Sequence, residues 1–92
     1  MQYFVYILKS DLDGRFYYGQ TQDLTKRLEY HNKGYSGYTK KFRPWILFAS
    51  KEVESRSEAI KLERKLKNLH STKRLYQFIK TQHFQKLIGT EK

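Results

Sequence analysis

The chain has 92 residues, 38% apolar and 16% aromatic, which supplies one hydrophobic core and not two; a single domain spanning 1–92 is expected. It has no cysteine, which excludes disulfide scaffolds, thiolate zinc sites and cysteine nucleophiles. The net charge of +10 points to a polyanionic partner, nucleic acid first, and it is uneven: residues 60–92 carry nine Lys/Arg against only Glu63 and Glu91.

The opening run MQYFVYILKS is too short for a signal-peptide core, and nothing approaches the roughly 20 apolar residues of a membrane span, so a cytoplasmic protein without membrane contact is expected. Tyr3, Val5 and Ile7 alternate with Phe4, Tyr6 and Leu8, and both faces are apolar or aromatic. That is the pattern of an interior strand covered on both sides. Asp13-Gly14 marks a turn and a second aromatic run, Arg15 to Gln20, follows it, which predicts a β-hairpin.

Asp23 is placed to cap a helix in which Leu24, Arg27, Leu28 and His31 share one face, with Gly34 as its stop. Lys33 to Pro44 mixes glycines, tyrosines and basic residues without periodicity and reads as a mobile loop. Trp45 to Ser50 predicts a third strand. Ser55 and Glu58 fit a capping box ahead of the stripe Ala59, Leu62, Leu66 and Leu69. Ser71 or Thr72 caps a further helix with Leu75, Phe78 and Ile79 inward, and His83 to Ile88 is expected to add a last helical turn. The order β-β-α-β-α-α, with hairpin signals and covering helices, predicts an α+β fold built on a three-stranded antiparallel sheet.

Polar groups collect on this frame. Strand parity puts Tyr6 with Phe4 and Leu8, and two phenols point together if Tyr17 shares that face. Arg27 and His31, at i and i+4, reach that face as a planar phosphate clamp and a proton carrier. Glu63, on the flank of the Leu62 and Leu66 stripe, is the candidate metal ligand, although an i,i+4 pair with Lys67 accounts for it equally simply. His70 and His83 read as helix-end or surface residues. Lys33, Lys40, Lys41 and Arg43, with Tyr35 and Tyr38 between them, form a candidate track for a phosphate backbone and exposed bases, which Lys67, Lys73 and Arg74 extend.

The spacing of these residues carries more than their types. Phe4-Val5-Tyr6, ten intervening residues, Tyr17-Tyr18-Gly19, Arg27 eight residues later, and the helix Ala59 to Lys67 resemble the GIY-YIG nuclease superfamily over nearly the whole chain. The likeness is greatest to small single-domain members similar to the N-terminal nuclease domain of the excinuclease C subunit. Their loop is matched by His31-Asn32-Lys33-Gly34, Tyr38-Thr39 and Arg43-Pro44-Trp45.

The resemblance implies a metal-dependent endonuclease that uses one divalent ion, Mg²⁺ with Mn²⁺ as a substitute, on DNA, in a structure-guided manner and in repair or recombination. It implies Tyr6 and Tyr17 to activate or orient water, Arg27 to stabilise the phosphoryl charge, His31 to handle a proton and Glu63 to bind the metal. The expected products carry a 5′-phosphate and a 3′-hydroxyl. Where the family has glycine and isoleucine this chain has Phe4 and Tyr18, and Gln20 stands where the excinuclease domain has a phosphate-reaching lysine. Two other readings stand beside the nuclease: a catalytically weak or inactive nucleic-acid-binding module, and an adaptor for an acidic protein. A monomer is assumed.

Overall fold

A computed structural model describes residues 2–86. The strands are β1 (Tyr3–Ser10), β2 (Phe16–Thr21), β3 (Trp45–Val53) and β4 (Gln85–Lys86), and the helices are α1 (Leu24–Asn32), α2 (Arg56–Lys67) and α3 (Thr72–Thr81). The sheet order is β2-β1-β3-β4, with antiparallel pairing throughout. The three expected strands are therefore present in the expected order, flanked by helices. Central β1 is covered on both faces, as its composition requires: Val5, Ile7, Tyr6 and Leu8 are all buried.

Two clusters divide the interior. Val5 and Ile7 on one face of β1 pack with Phe48, Ala49 and Val53 of β3 against Ala59, Leu62 and Leu66 of α2 and Leu75 and Ile79 of α3. Tyr6 and Leu8 on the other face pack with Trp45, and Tyr17, Leu24, Leu28, Phe42 and Leu47 close around them. The β1–β3 register slips between Ile7 and Leu8, which face Ala49 and Leu47, so Phe48 is an extra residue in β3. This bulge turns two neighbouring β3 side chains, Phe48 and Ala49, toward the same helices.

The helix starts follow the sequence signals. The side chains of Asp23, Ser55 and Ser71 accept hydrogen bonds from the backbone N–H groups of Lys26, Glu58 and Arg74. The capping box at Ser55 closes differently from the expected form, because the Glu58 carboxylate accepts from the Glu54 N–H at 3.1 Å. His70 and His83 follow the ends of α2 and α3 with φ of 55° and 62°, the left-handed conformation that ends many helices.

Two expectations change. The segment read as a mobile loop contains a short 3-10 helix, Thr39–Phe42, tied into the α1 face by Phe42 and Trp45. The expected last helical turn over His83 to Ile88 is not formed, because Gln85 and Lys86 pair with Ser50 and Ala49 as an edge strand. The reversal at left-handed His83 takes the chain back along β3, and Phe84 is buried in the α2–α3 cluster. Residues 87 and 88 lie outside the described residues.

Candidate active site

The hairpin register settles where the two tyrosines stand. Tyr6 pairs with Gly19 and Leu8 with Tyr17, so all four share the face under α1. Gly19 carries Tyr6 on its backbone: a Cβ there would meet the Tyr6 Oη and lie 2.5 Å from its Cζ. This is the physical reason for glycine at the end of the second triplet. Gly19→Ala should push the Tyr6 phenol out of place, costing about 1–3 kcal/mol of stability because a ring buried on every side has nowhere to go. A thermal melt checks this, and an unchanged melting temperature would contradict it.

From α1, Leu24 and Leu28 dock on the sheet and bring His31 to the same spot. The His31 ring is 2% exposed, its Nε2 lies 3.1 Å from the Tyr6 hydroxyl and its Nδ1 lies 2.8 Å from the Thr39 hydroxyl. Tyr17 meets His31 edge-on at 5.0 Å between ring centres and stacks on Tyr38 at 6.1 Å. Arg27, one turn before His31, is half-buried with its guanidinium 5.0 Å from the Tyr30 ring centre.

These surroundings bear on protonation. Burial chiefly, with the neighbouring Tyr17, pushes the Tyr6 phenol well above its ordinary range, and Arg27 offsets part of this. Tyr6 therefore keeps its proton at neutral pH. Burial and the like charge of Arg27 lower His31 from its ordinary 6.5. Above about pH 6.5 the imidazole is neutral folded and unfolded, and its contribution to stability is complete. As pH falls below that value the unfolded chain takes up a proton that the folded chain resists, so stability is lost toward the lowered folded pKa. The melting-temperature advantage of wild type over His31→Gln should shrink between about pH 7.5 and about pH 5. A pH-independent difference would contradict a buried neutral imidazole.

Glu63 approaches from the other side of the sheet. Gln20 pairs with Val5, so it belongs to the face covered by α2, and its amide donates to Glu63 Oε1 at 3.2 Å. Lys67 Nζ lies 2.8 Å from Glu63 Oε2, the i,i+4 pair anticipated from the sequence. The carboxylate is nonetheless close enough to Tyr6 to add to the upward push on its phenol. The five residues therefore do not converge over one sheet face. They straddle the open edge of β2, with Tyr6, Tyr17, Arg27 and His31 on one side and Glu63 on the other. Gln20, on the rim between them, lines both a cavity of about 250 Å³ that includes Arg27 and one of about 420 Å³ that includes Glu63, Lys67 and Asn68.

The candidate nucleic-acid residues divide. Lys33, Lys40, Lys41 and Tyr35 are exposed along the segment after α1, with Tyr35 at 67%. Arg43 is exposed too, and its guanidinium also donates to the Lys40 carbonyl at 2.9 Å and the Asn32 carbonyl at 3.4 Å. Tyr38 accepts a hydrogen bond from Arg15 at 3.1 Å and keeps an exposed ring face. Gln20 and Lys67 are engaged with Glu63, while Lys73 and Arg74 stand on α3, across the sheet from the Lys33–Arg43 segment, so the expected single track is split between two faces.

Sequence reasoning gave no role to three residues that hold the site. Asn32 clamps α1 to β3, its amide donating to the Trp45 carbonyl at 3.0 Å and its oxygen accepting from the Trp45 N–H at 2.6 Å. Thr39 orients His31, and Trp45 Nε1 donates to the Thr39 carbonyl at 2.7 Å. Arg15 joins the hairpin turn to Tyr38, with its guanidinium 3.5 Å from the Phe42 ring centre. The only signal for Asn32 and Thr39 was their place inside the loop motif.

A core of three antiparallel strands thus carries paired tyrosines, with an arginine and a histidine on the next helix and a glutamate on the one after β3. The model of the GIY-YIG catalytic domain matches residues 2–77, and the chain belongs to the GIY-YIG family. Within that family it is similar to UPF0213 proteins of Staphylococcus aureus strains Mu3 and MW2, each 40% identical over 74 residues that cover 79% of this chain and 89% of theirs. The NMR solution structure of a UPF0213 protein from Bacillus halodurans superposes with a TM-score of 0.55 at 33% identity, covering 88% of this chain and 85% of that one.

Proposed function

We propose that this protein is a divalent-metal-dependent endonuclease that hydrolyses phosphodiester bonds in DNA, guided by DNA structure rather than sequence, in repair or recombination. The observation that carries the proposal is the edge of β2. Phenols, an imidazole and a guanidinium stand on one side of it and a carboxylate on the other, close enough for the charges of Arg27 and Glu63 both to act on Tyr6.

The donor set fits a hard, well-hydrated cation. Among the described residues no three His, Asp or Glu side chains gather as a metal cage, and Glu63, whose side chain is 18% exposed, is the one carboxylate lining its cavity. One carboxylate with water and substrate phosphate completing the shell is the usual arrangement for Mg²⁺, and Mn²⁺ would substitute. Bound there, the ion would neutralise phosphoryl charge and polarise the attacking water.

The protein's own residues do the rest. Tyr17, half-buried beside the cleft, orients the water that attacks phosphorus, while Tyr6 stays a phenol and serves as a hydrogen-bond donor. Arg27 places its fork against the non-bridging oxygens as the P–O3′ bond breaks. The products are a 5′-phosphate and a 3′-hydroxyl. The exposed Lys33, Tyr35, Lys40 and Lys41 supply backbone attraction and stacking beside the site.

The test is incubation of the protein with branched, single-stranded and duplex DNA, and with RNA, plus Mg²⁺. Cleavage of DNA that stops on chelation and leaves ligatable 5′-phosphate ends is expected, and absence of cleavage with both Mg²⁺ and Mn²⁺ would overturn the proposal. One observation favours a second reading, a nucleic-acid-binding module: both Glu63 oxygens are engaged, by Gln20 and Lys67. Binding that weakens steeply with salt, without strand scission, is its signature.

A further inference from the structure

We propose that Arg56 forms a second phosphate subsite, which holds a backbone phosphate of the DNA strand about three phosphates away from the one at Glu63. Arg56 is the first residue of α2. A cation in the first helical turn opposes the helix dipole, so α2 gains no stability from its charge. Among the described residues it enters no ion pair. Its exposed guanidinium lies instead over the ring of Tyr3 on β1, 5.4 Å from the ring centre.

Arg56 shares a cavity with the candidate active site. The recess of about 250 Å³ that includes Arg27 and Gln20 also has Arg56 and Tyr3 in its wall. The two arginines reach it from opposite sides of the β2 edge, one from α1 and one from α2. Each rests on a tyrosine ring, Arg27 on Tyr30 and Arg56 on Tyr3, so both planar forks are set before a phosphate arrives. One carboxylate, Asp23, lines the same recess, and its Oδ1 is engaged by the Lys26 N–H at 3.0 Å as the cap of α1. Two guanidiniums against one capped carboxylate make this recess a seat for an anion.

Its ligand follows from where it leads. Gln20 lines both this recess and the one at Glu63, so the two are continuous along the β2 edge. Arg56, Ile60, Glu63 and Lys67 fall at i, i+4, i+7 and i+11, on the flank of α2 that Glu63 turns to Gln20. The step from Arg56 to Glu63 is two helical turns, a rise of about 10.5 Å. Phosphates of one strand follow each other every 3.4 Å or so along the duplex axis, which sets the spacing of about three. The recess is a property of the free protein, and only the place of the cut at Glu63 rests on the nuclease reading.

Fluorescence anisotropy of a labelled branched DNA in EDTA, over a range of salt, tests this. Arg56→Gln should lower the slope of log affinity against log salt by about 0.9, the loss of one phosphate contact. Arg56→Lys should keep the wild-type slope, and so should Lys65→Gln, which removes the same charge from α2 at a position turned away from Arg56. A single neutral methylphosphonate about three phosphates from the cut should weaken binding by wild type and not by Arg56→Gln. With Mg²⁺, the DNA concentration for half-maximal single-turnover cleavage should rise about fivefold in Arg56→Gln while the saturated rate stays within about twofold, as for a contact made equally before and during bond breaking. An unchanged slope in Arg56→Gln, an equal loss in Lys65→Gln, a collapse of the saturated rate, or a wild type that binds no DNA would overturn the subsite. The expected slopes without cleavage in Mg²⁺ or Mn²⁺ would uphold the subsite and defeat the nuclease reading alone.

Discussion

Glu63→Gln is expected to abolish cleavage, with a loss of at least about 10³-fold, equivalent to about 4 kcal/mol of transition-state stabilisation. The reason is the donor inventory. The cavity at Glu63 is otherwise lined by Gln20, Ile60, Arg64, Lys67 and Asn68, with no second carboxylate to take over the cation, and a neutral amide binds Mg²⁺ far more weakly than a carboxylate does. The substitution keeps the shape of the side chain, and Oε1 still accepts from Gln20. What it removes from the fold is one ion pair with a mostly exposed lysine, worth well under about 1 kcal/mol. Single-turnover cleavage and a thermal melt on the same preparation separate the two effects. Retained cleavage with an unchanged melt would remove Glu63 from the reaction.

Arg27→Ala is expected to cost about 10²–10³-fold in cleavage, the range typical when one preorganised charge-stabilising group is removed. Arg27→Lys should recover only part of it, because a lysine presents a point charge where the guanidinium presents a planar fork. The change should also be visible without substrate. Arg27 lowers the pKa of His31 by like-charge repulsion, so its removal should move the His31 titration upward. A variant whose cleavage falls while His31 titrates as in wild type would show that Arg27 does not share the site with His31.

The parts of this molecule that sequence periodicity reached are those set by local rules. The doubly apolar run at Tyr3 to Leu8 announced a central strand, and the caps at Asp23, Ser55 and Ser71 announced three helix starts, because each signal acts within a few residues. The same parity put Tyr6 with Phe4 and Leu8, and the i,i+4 rule put Arg27 with His31, whereas the side Tyr17 takes followed only from the hairpin register. What could not be read is what depends on docking. Where Glu63 points is decided by how α2 packs on the sheet, which brings it to the β2 edge from the face opposite the tyrosines.

Gln20 shows the same limit. Seen in the sequence it was a missing cation, and in the fold its amide steadies the carboxylate across the strand edge. The two-residue β4 was unreadable for a related reason, since Gln85 and Lys86 carry no strand pattern and owe their conformation to the exposed edge of β3. Thr39 and Asn32 have ordinary loop identities, and their work appears only when α1, the 3-10 helix and β3 meet.

The central claim is that Glu63 and the Tyr6, Tyr17 and Arg27 group form one metal-dependent site around the edge of β2. Locating Mn²⁺ by its anomalous scattering in crystals of the protein tests it most directly. The account predicts a single strong peak on the Glu63 carboxylate, on the side of Gln20 that faces Tyr6 and Arg27, with Lys67 displaced from Oε2. A peak on other residues, with Glu63 still paired to Lys67 and Gln20, would contradict it.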